Sequence, residues 1–360
     1  MARPYEIWRG ASVEVACARD ANREITRSMQ RSSILGIGHY VPTKVVTNDD
    51  LAKLMTTSDE WIVQRTGIKE RRFIERSGIG ASDLAVPACE MALEHAKIDK
   101  KKIDAIVFAT LSPDHNFPGS GCFLGDKLGL PGVPALDVRN QCSGFLYGLS
   151  IADAWVRAGV YENVLLVGAE VHLTGIELAE RGRDIAVLFG DGAGAAVIGK
   201  ATRENEGIKS IKLHADGAGA KELWLEAPAS AYAPRLTPEM LVEGKHYPAM
   251  NGKQVFRWAI EKMPEVVREV MTESKLSLEQ IDLFVPHQAN LRINQMVCAK
   301  LGIPESKAVA NIEKYGNTTA ATIPLGLSEA WREGRCDRGS NVLFAAFGSG
   351  FTWGGAVVTL

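Results

Sequence analysis

Short apolar runs recur along the chain at the length of buried strands. Ala105-Ile106-Val107-Phe108-Ala109, Val164-Leu165-Leu166-Val167-Gly168 and Val342-Leu343-Phe344-Ala345-Ala346 lack the polar alternation of a half-exposed strand. Runs of this kind predict strands covered on both faces. Helix-length stretches such as 143–158 and 291–302 lie between them. The alternation predicts an α/β protein with a largely buried sheet. The strand pattern starts at Ser33-Ile34-Leu35-Gly36-Ile37, and residues 1–31 before it carry six arginines and no sustained periodicity. We expect an N-terminal extension over 1–31 that is poorly ordered, with Met29 as a candidate initiator.

The pattern also repeats. Ile103-Asp104 precedes the first run as Ile281-Asp282 opens the matching stretch of the second half. Lys127-Leu128-Gly129-Leu130 is answered by Lys300-Leu301-Gly302-Ile303, Ala154-Trp155 by Ala330-Trp331, and Asn163-Val164-Leu165 by Asn341-Val342-Leu343. Conserved order points to a duplicated α/β half, over 32–204 and 205–360; chance similarity of leucine-rich helices is the competing account. Counting back equally from Trp155 and Trp331 pairs Cys142 with Thr318. The turns holding Cys142 and Asn317-Thr318 are therefore expected to be equivalent and to meet at a pseudo-twofold axis.

Composition narrows the function without naming it. The formal net charge is −2, so nucleic acid and anionic membranes are not indicated as partners. No apolar run reaches the length of a membrane span, and no secretory signal is visible. Six cysteines stand far apart with no C-x-x-C pair, which indicates neither a zinc knuckle nor a disulfide framework. A cytoplasmic protein with reduced thiols is expected.

Four motifs carry candidate chemistry. In Asn140-Gln141-Cys142-Ser143-Gly144-Phe145 the cysteine stands at a helix start, where the macrodipole lowers a thiol pKa; a buried structural cysteine is the plainer alternative. Val285-Pro286-His287-Gln288-Ala289-Asn290 puts His287 at a strand mouth, where α/β proteins carry reactive groups, unless it is a satisfied core histidine. Gly316-Asn317-Thr318-Thr319 is either part of a site or a helix cap. Phe347-Gly348-Ser349-Gly350-Phe351 has the glycine density that lets backbone N–H groups approach a ligand. Gly190-Asp191-Gly192-Ala193-Gly194-Ala195 mimics a dinucleotide fingerprint, but a strand-like segment follows it, so a β-hairpin turn is expected instead.

Taken together, Cys142-Ser143-Gly144-Phe145, Pro286-His287-Gln288-Ala289-Asn290, Gly316-Asn317-Thr318 and Gly350-Phe351-Thr352-Trp353-Gly354 resemble 3-oxoacyl-[acyl-carrier-protein] synthase III. So do Ser58-Asp59-Glu60-Trp61-Ile62-Val63, Arg65-Thr66-Gly67-Ile68 and Glu70-Arg71-Arg72. The resemblance runs from about residue 32 to the C-terminus. It implies the thiolase fold, with duplicated halves in a five-layered α-β-α-β-α arrangement, and a homodimer. It also implies a ping-pong condensation of a short acyl-CoA with malonyl-acyl carrier protein, driven by loss of CO2 and needing no metal or redox cofactor. Cys142 would carry the acyl group, with backbone N–H groups of Cys142 and Ser349 on the oxyanion. His287 and Asn317 would donate to the thioester carbonyl of the malonyl substrate. Trp61, Arg65, Thr66 and Arg181 would hold the CoA adenine end, and Phe256 and Asn290 would line the pantetheine tunnel. Phe117 would reach across the dimer to close the partner's acyl pocket. Arg257, Arg292 and Lys300 would dock the acidic carrier protein, although such a group is also an ordinary solvated face. Arg139-Asn140-Gln141, Ser143 and Ser349 depart from the family's usual small residues. A pathway-specific ketosynthase or acyltransferase of secondary metabolism, a papain-like cysteine hydrolase and a non-catalytic acyl-binding protein are the alternatives.

Overall fold

The three apolar runs are inner strands of two sheets. In the first sheet Ser32–Tyr40, Gly192–Lys200, Asn163–Glu170, Ala105–Ala109 and Ala135–Val138 lie side by side in that order. In the second the order is Gly207–Ala215, Thr352–Thr359, Asn341–Gly348 and Leu283–Pro286. A computed structural model of the chain describes residues 31–360. The extension expected over 1–31, Arg31 excepted, and Met29 lie outside the described residues.

Strand periodicity explains the layering. Successive side chains of a strand face opposite ways, and here both ways are apolar. Val107, Leu166 and Ile198 of the first sheet share a core with Val285, Phe344 and Val358 of the second, and with Phe145, Leu149, Ile323 and Leu327. Those last four belong to helices Gly144–Arg157 and Thr322–Arg332, which form the middle layer. The alternate residues Ile106, Phe108, Leu165 and Val197 face helices Ala81–Ala96 and Ser120–Leu128. On the far side Phe284, Leu343 and Val357 face Gly252–Ser274 and Leu291–Leu301. The result is the five-layered α-β-α-β-α thiolase fold that the resemblance implies.

The two sheets repeat each other in detail. The Asp104 carboxylate accepts the Asn163 N–H at 3.0 Å, and Asp282 accepts that of Asn341 at 2.8 Å. The Asn163 and Asn341 amides donate to the Lys102 and Gln280 carbonyls. Gly129 and Gly302 end matching helices at φ 68° and 71°, the left-handed cap that favours glycine. Strands Asn163–Glu170 and Asn341–Gly348 are both eight residues long.

Two expectations need correction. The turns of the two halves are equivalent, but their register is not the one counted back from the tryptophans. Each turn has a non-glycine residue at positive φ, Gln141 at 43° and Thr319 at 49°, opening a 3-10 turn that runs into the helix. The counterpart of Cys142 is thus Ala320, not Thr318. Equal counting fails because Trp331 follows Ala320 by 11 residues, whereas Trp155 follows Cys142 by 13, the second helix being the shorter. Nor is Gly190–Ala195 a hairpin turn, because Gly192 already opens the strand that pairs with both Ser32–Tyr40 and Asn163–Glu170. Its small residues serve packing: a Cβ on Gly194 would stand 2.7 Å from the Pro324 ring, on the middle-layer helix.

Candidate active site

Cys142 sits in the 3-10 turn Gln141–Ser143 that leads into helix Gly144–Arg157, and is buried. Close approach of the opposite sheet explains one of the motif glycines. A Cβ on Gly348 would lie 2.6 Å from the Cys142 Cβ and 3.0 Å from its Sγ. The backbone N–H groups of Ser349 and of Cys142 itself lie near the sulfur and favour its anion. The Ser349 hydroxyl is bonded to the Leu223 carbonyl, and Ser143 to Thr352 at 2.7 Å. Both serines that depart from the family's usual residues are therefore satisfied within the protein. The expected lowering of the thiol pKa is reversed. Burial, with the Glu170 carboxylate adding to it, pushes the Cys142 thiol up to about 12 and outweighs the N–H groups.

His287 follows strand Leu283–Pro286, and its N–H donates to the Ala345 carbonyl of the neighbouring strand at 2.8 Å. The residue is 2% exposed, and burial lowers its pKa to about 3, so the ring is neutral. Nδ1 lies 2.7 Å from the Thr322 hydroxyl, whereas Nε2 is buried with no partner. Asn317 is fixed through its backbone: its N–H donates to Leu188 and its carbonyl accepts from Gly190. Its Oδ1 accepts the Thr319 N–H at 2.8 Å. Only the amide nitrogen is then left to face outward, as a donor.

A cleft of about 410 Å³ brings these three side chains together, with Trp61, Arg65, Thr66, Phe256, Asn290 and Arg292 along the same wall. Trp61 is half-buried rather than a core residue, and the Arg65 guanidinium covers its ring at 4.5 Å. The second guanidinium on that ring is Arg183, at 5.2 Å. Arg181, the residue expected there, instead holds Glu177 through two nitrogens and the Val242 carbonyl through a third. Thr66 and Asn290 line the cleft but are already engaged. The Thr66 hydroxyl donates to Ile62, and Asn290 caps helix Leu291–Leu301 while donating to the Arg65 carbonyl. Arg292 stands over Phe256 at 5.9 Å. Arg257 and Lys300 are exposed on the two adjoining helices and are not in the cleft wall. Phe117 is also outside it, 82% exposed.

Buried polar residues behind the cysteine escaped the sequence reading. Glu170 accepts from the hydroxyls and N–H groups around Thr110–Ser112 and from the Ala320 N–H. Burial raises its carboxyl to about 7. Asp191 accepts three backbone N–H groups, from Ile74, His172 and Leu173, and so ties the strand ends together. A second cavity of about 540 Å³ shares Cys142, Phe189 and Leu223 with the cleft. No helix among the described residues is long and apolar enough to cross a membrane.

This arrangement has close counterparts. Residues 136–217 match the 3-oxoacyl-[acyl-carrier-protein] synthase III family, and residues 271–360 match its C-terminal part. Beta-ketoacyl-[acyl-carrier-protein] synthase III of Clostridioides difficile is 43% identical over 91% of this chain and 98% of its own. That of Caldanaerobacter subterraneus is 42% identical over 91% and 97%. Among solved structures, the Thermus thermophilus enzyme aligns with a TM-score of 0.83 at 42% identity, over 91% of this chain and 99% of that one. The Aquifex aeolicus enzyme gives 0.83 at 38%, over 91% and 100%. Such identity over nearly the whole described chain makes this protein a member of the 3-oxoacyl-[acyl-carrier-protein] synthase III family.

Proposed function

We propose that the chain condenses a short acyl-CoA with malonyl-acyl carrier protein to give 3-oxoacyl-carrier protein, the initiating step of fatty acid synthesis. The observation that carries this reading is the pair of groups left for a ligand beside Cys142. These are the partnerless His287 Nε2 and the outward Asn317 amide, on one wall with a cysteine that faces two backbone N–H groups. An acyl-CoA enters with its adenine end on Trp61, between Arg65 and Arg183, and its thioester at Cys142. The sulfur attacks the carbonyl carbon as its proton leaves. The N–H groups of Cys142 and Ser349 take the oxyanion, and CoA departs as the thiol. Malonyl-carrier protein follows along Phe256 and Asn290. His287 and Asn317 donate to its thioester carbonyl and CO2 leaves; the resulting enolate carbon attacks the acyl carbon, and the Cys142 sulfur departs and takes up a proton from solvent. One donor of this type is worth about 3–4 kcal/mol of barrier.

The homodimer belongs to this reading. The supports are Phe117, too exposed for a side chain that size without a partner surface, and Leu136 on edge strand Ala135–Val138. The carrier protein would dock on Arg257, Arg292 and Lys300. We set the junction of the halves at 204–205, in the connection between Lys200 and Gly207. The test is incubation with an acyl-CoA and malonyl-carrier protein. The expected products are acyl-Cys142, CO2 and 3-oxoacyl-carrier protein; free acid alone would overturn the reading.

A further inference from the structure

An acyl group carried on Cys142 can lie in the second cavity, whose wall includes Ser112, Thr174, Ile176, Phe189 and His172. His172 sets it apart from a plain hydrocarbon slot. Its ring packs on Phe189 with centroids 4.6 Å apart, and its Nε2 is 2.9 Å from the Thr319 hydroxyl. The backbone N–H is spent on Asp191 at 2.6 Å. Nδ1 pairs with no group among the described residues, yet it is not sealed in the protein. It faces the cavity that His172 lines.

The chemistry of that nitrogen defines what it can recognise. The buried ring is neutral, held far below the ordinary imidazole range by desolvation. When the Thr319 hydroxyl donates to Nε2, Nδ1 carries the proton and donates. When Nε2–H donates to Thr319 instead, Nδ1 accepts. A hydroxyl group satisfies either tautomer, a ketone only the first, and a methylene neither. An alkyl chain laid against Nδ1 takes water from it and returns no bond, which is the costly case for a buried polar atom.

We propose that His172 selects an acyl donor bearing a hydroxyl group, and that the second cavity is the pocket for a short hydroxyacyl-CoA. This specificity rests on the ketosynthase reading above. The test follows acylation of Cys142 by intact mass, with butyryl-CoA against the isomers of hydroxybutyryl-CoA. The best hydroxy isomer is expected to exceed butyryl in kcat/KM by about tenfold or more, as for sites built around a substrate hydroxyl. His172→Leu should reverse that ratio, and His172→Gln, which keeps a hydrogen-bonding side chain, should retain the hydroxyl preference. A wild type that favours butyryl-CoA overturns the proposal even if His172→Leu does not fold. An unchanged ratio in folded His172→Leu overturns it as well. Failure of every donor to acylate Cys142 overturns the ketosynthase reading with it.

Discussion

Thr322→Val isolates the support of His287 from its chemistry. Valine replaces the hydroxyl with a methyl of similar size at this buried position, so the change is chiefly one of hydrogen bonding. What is lost is the 2.7 Å contact to Nδ1. The hydroxyl also lies 3.0 Å from the Thr319 carbonyl, but that oxygen still accepts the Thr322 N–H, so nothing else is orphaned. The hydroxyl has one proton, for Nδ1 or for the Thr319 carbonyl; given to Nδ1, it keeps the imidazole proton on Nε2, the form that can donate to a substrate carbonyl. An unpaired buried nitrogen costs about 1–3 kcal/mol. If that loss falls on the transition state, decarboxylation slows by roughly 5- to 150-fold. Acylation of Cys142 should change little, because it does not use this donor. CO2 release from malonyl-carrier protein and intact-mass acylation measure the two steps separately. Thr322→Ser should restore decarboxylation. A Thr322→Val enzyme that decarboxylates at the wild-type rate would refute the argument.

Cys142→Ser should abolish condensation, and acylation of the wild type should add one acyl mass at Cys142 and none elsewhere; peptide mass mapping checks both. His287→Ala and Asn317→Ala should each block decarboxylation and leave Cys142 acylation measurable, and a wild-type condensation rate in either removes its assigned role. Phe117→Thr should extend the donor range toward longer or branched chains, since overfilling a pocket costs about 1–3 kcal/mol; an unchanged ratio of kcat/KM for long and short donors in a variant that is still dimeric counts against the gate. Glu170 holds its proton up to about 7 in the fold against 4.5 when unfolded, so the folded state binds more protons between those values. Relative to Glu170→Gln, the wild type should therefore lose stability as pH rises through that window, by on the order of 3 kcal/mol. Denaturant titrations on either side of it give the difference, and a flat difference contradicts the burial argument.

Much of the fold was legible because buried strands announce themselves as apolar runs, and because Asp104 and Asp282 make the same bonds in both halves. Cys142, His287 and Asn317 were legible for a related reason: each stands where an element ends, inside a short run of unusual residues. Arg183 was not, because two arginines two residues apart look alike until the Trp61 ring is found under one of them. Glu170 and His172 follow a run that reads as hydrophobic, and only their partners across the fold reveal polar roles. Thr322 looks like any helix residue until His287 is seen against it. The register of the two turns was hidden because Trp155 lies two residues farther from its turn than Trp331 does, whereas Leu149-Ser150 and Leu327-Ser328, each seven residues past Cys142 and Ala320, keep the true register.

The equivalence of Cys142 with Ala320 means that the chain holds one strand-turn-helix frame twice, with a cysteine in one copy and an alanine in the other. In the copy with the cysteine the turn meets Gly348, the end of strand Asn341–Gly348. In the other copy the same position holds an alanine with no nucleophile. There the matching strand ends in Glu170, whose carboxylate approaches the Ala320 N–H at 3.4 Å. In that copy a buried carboxyl group of the protein's own closes the turn. One cysteine between the two frames leaves a place for one acyl group per chain, the stoichiometry that the proposed reaction expects. The second turn instead brings Asn317 to the cleft that Cys142 lines.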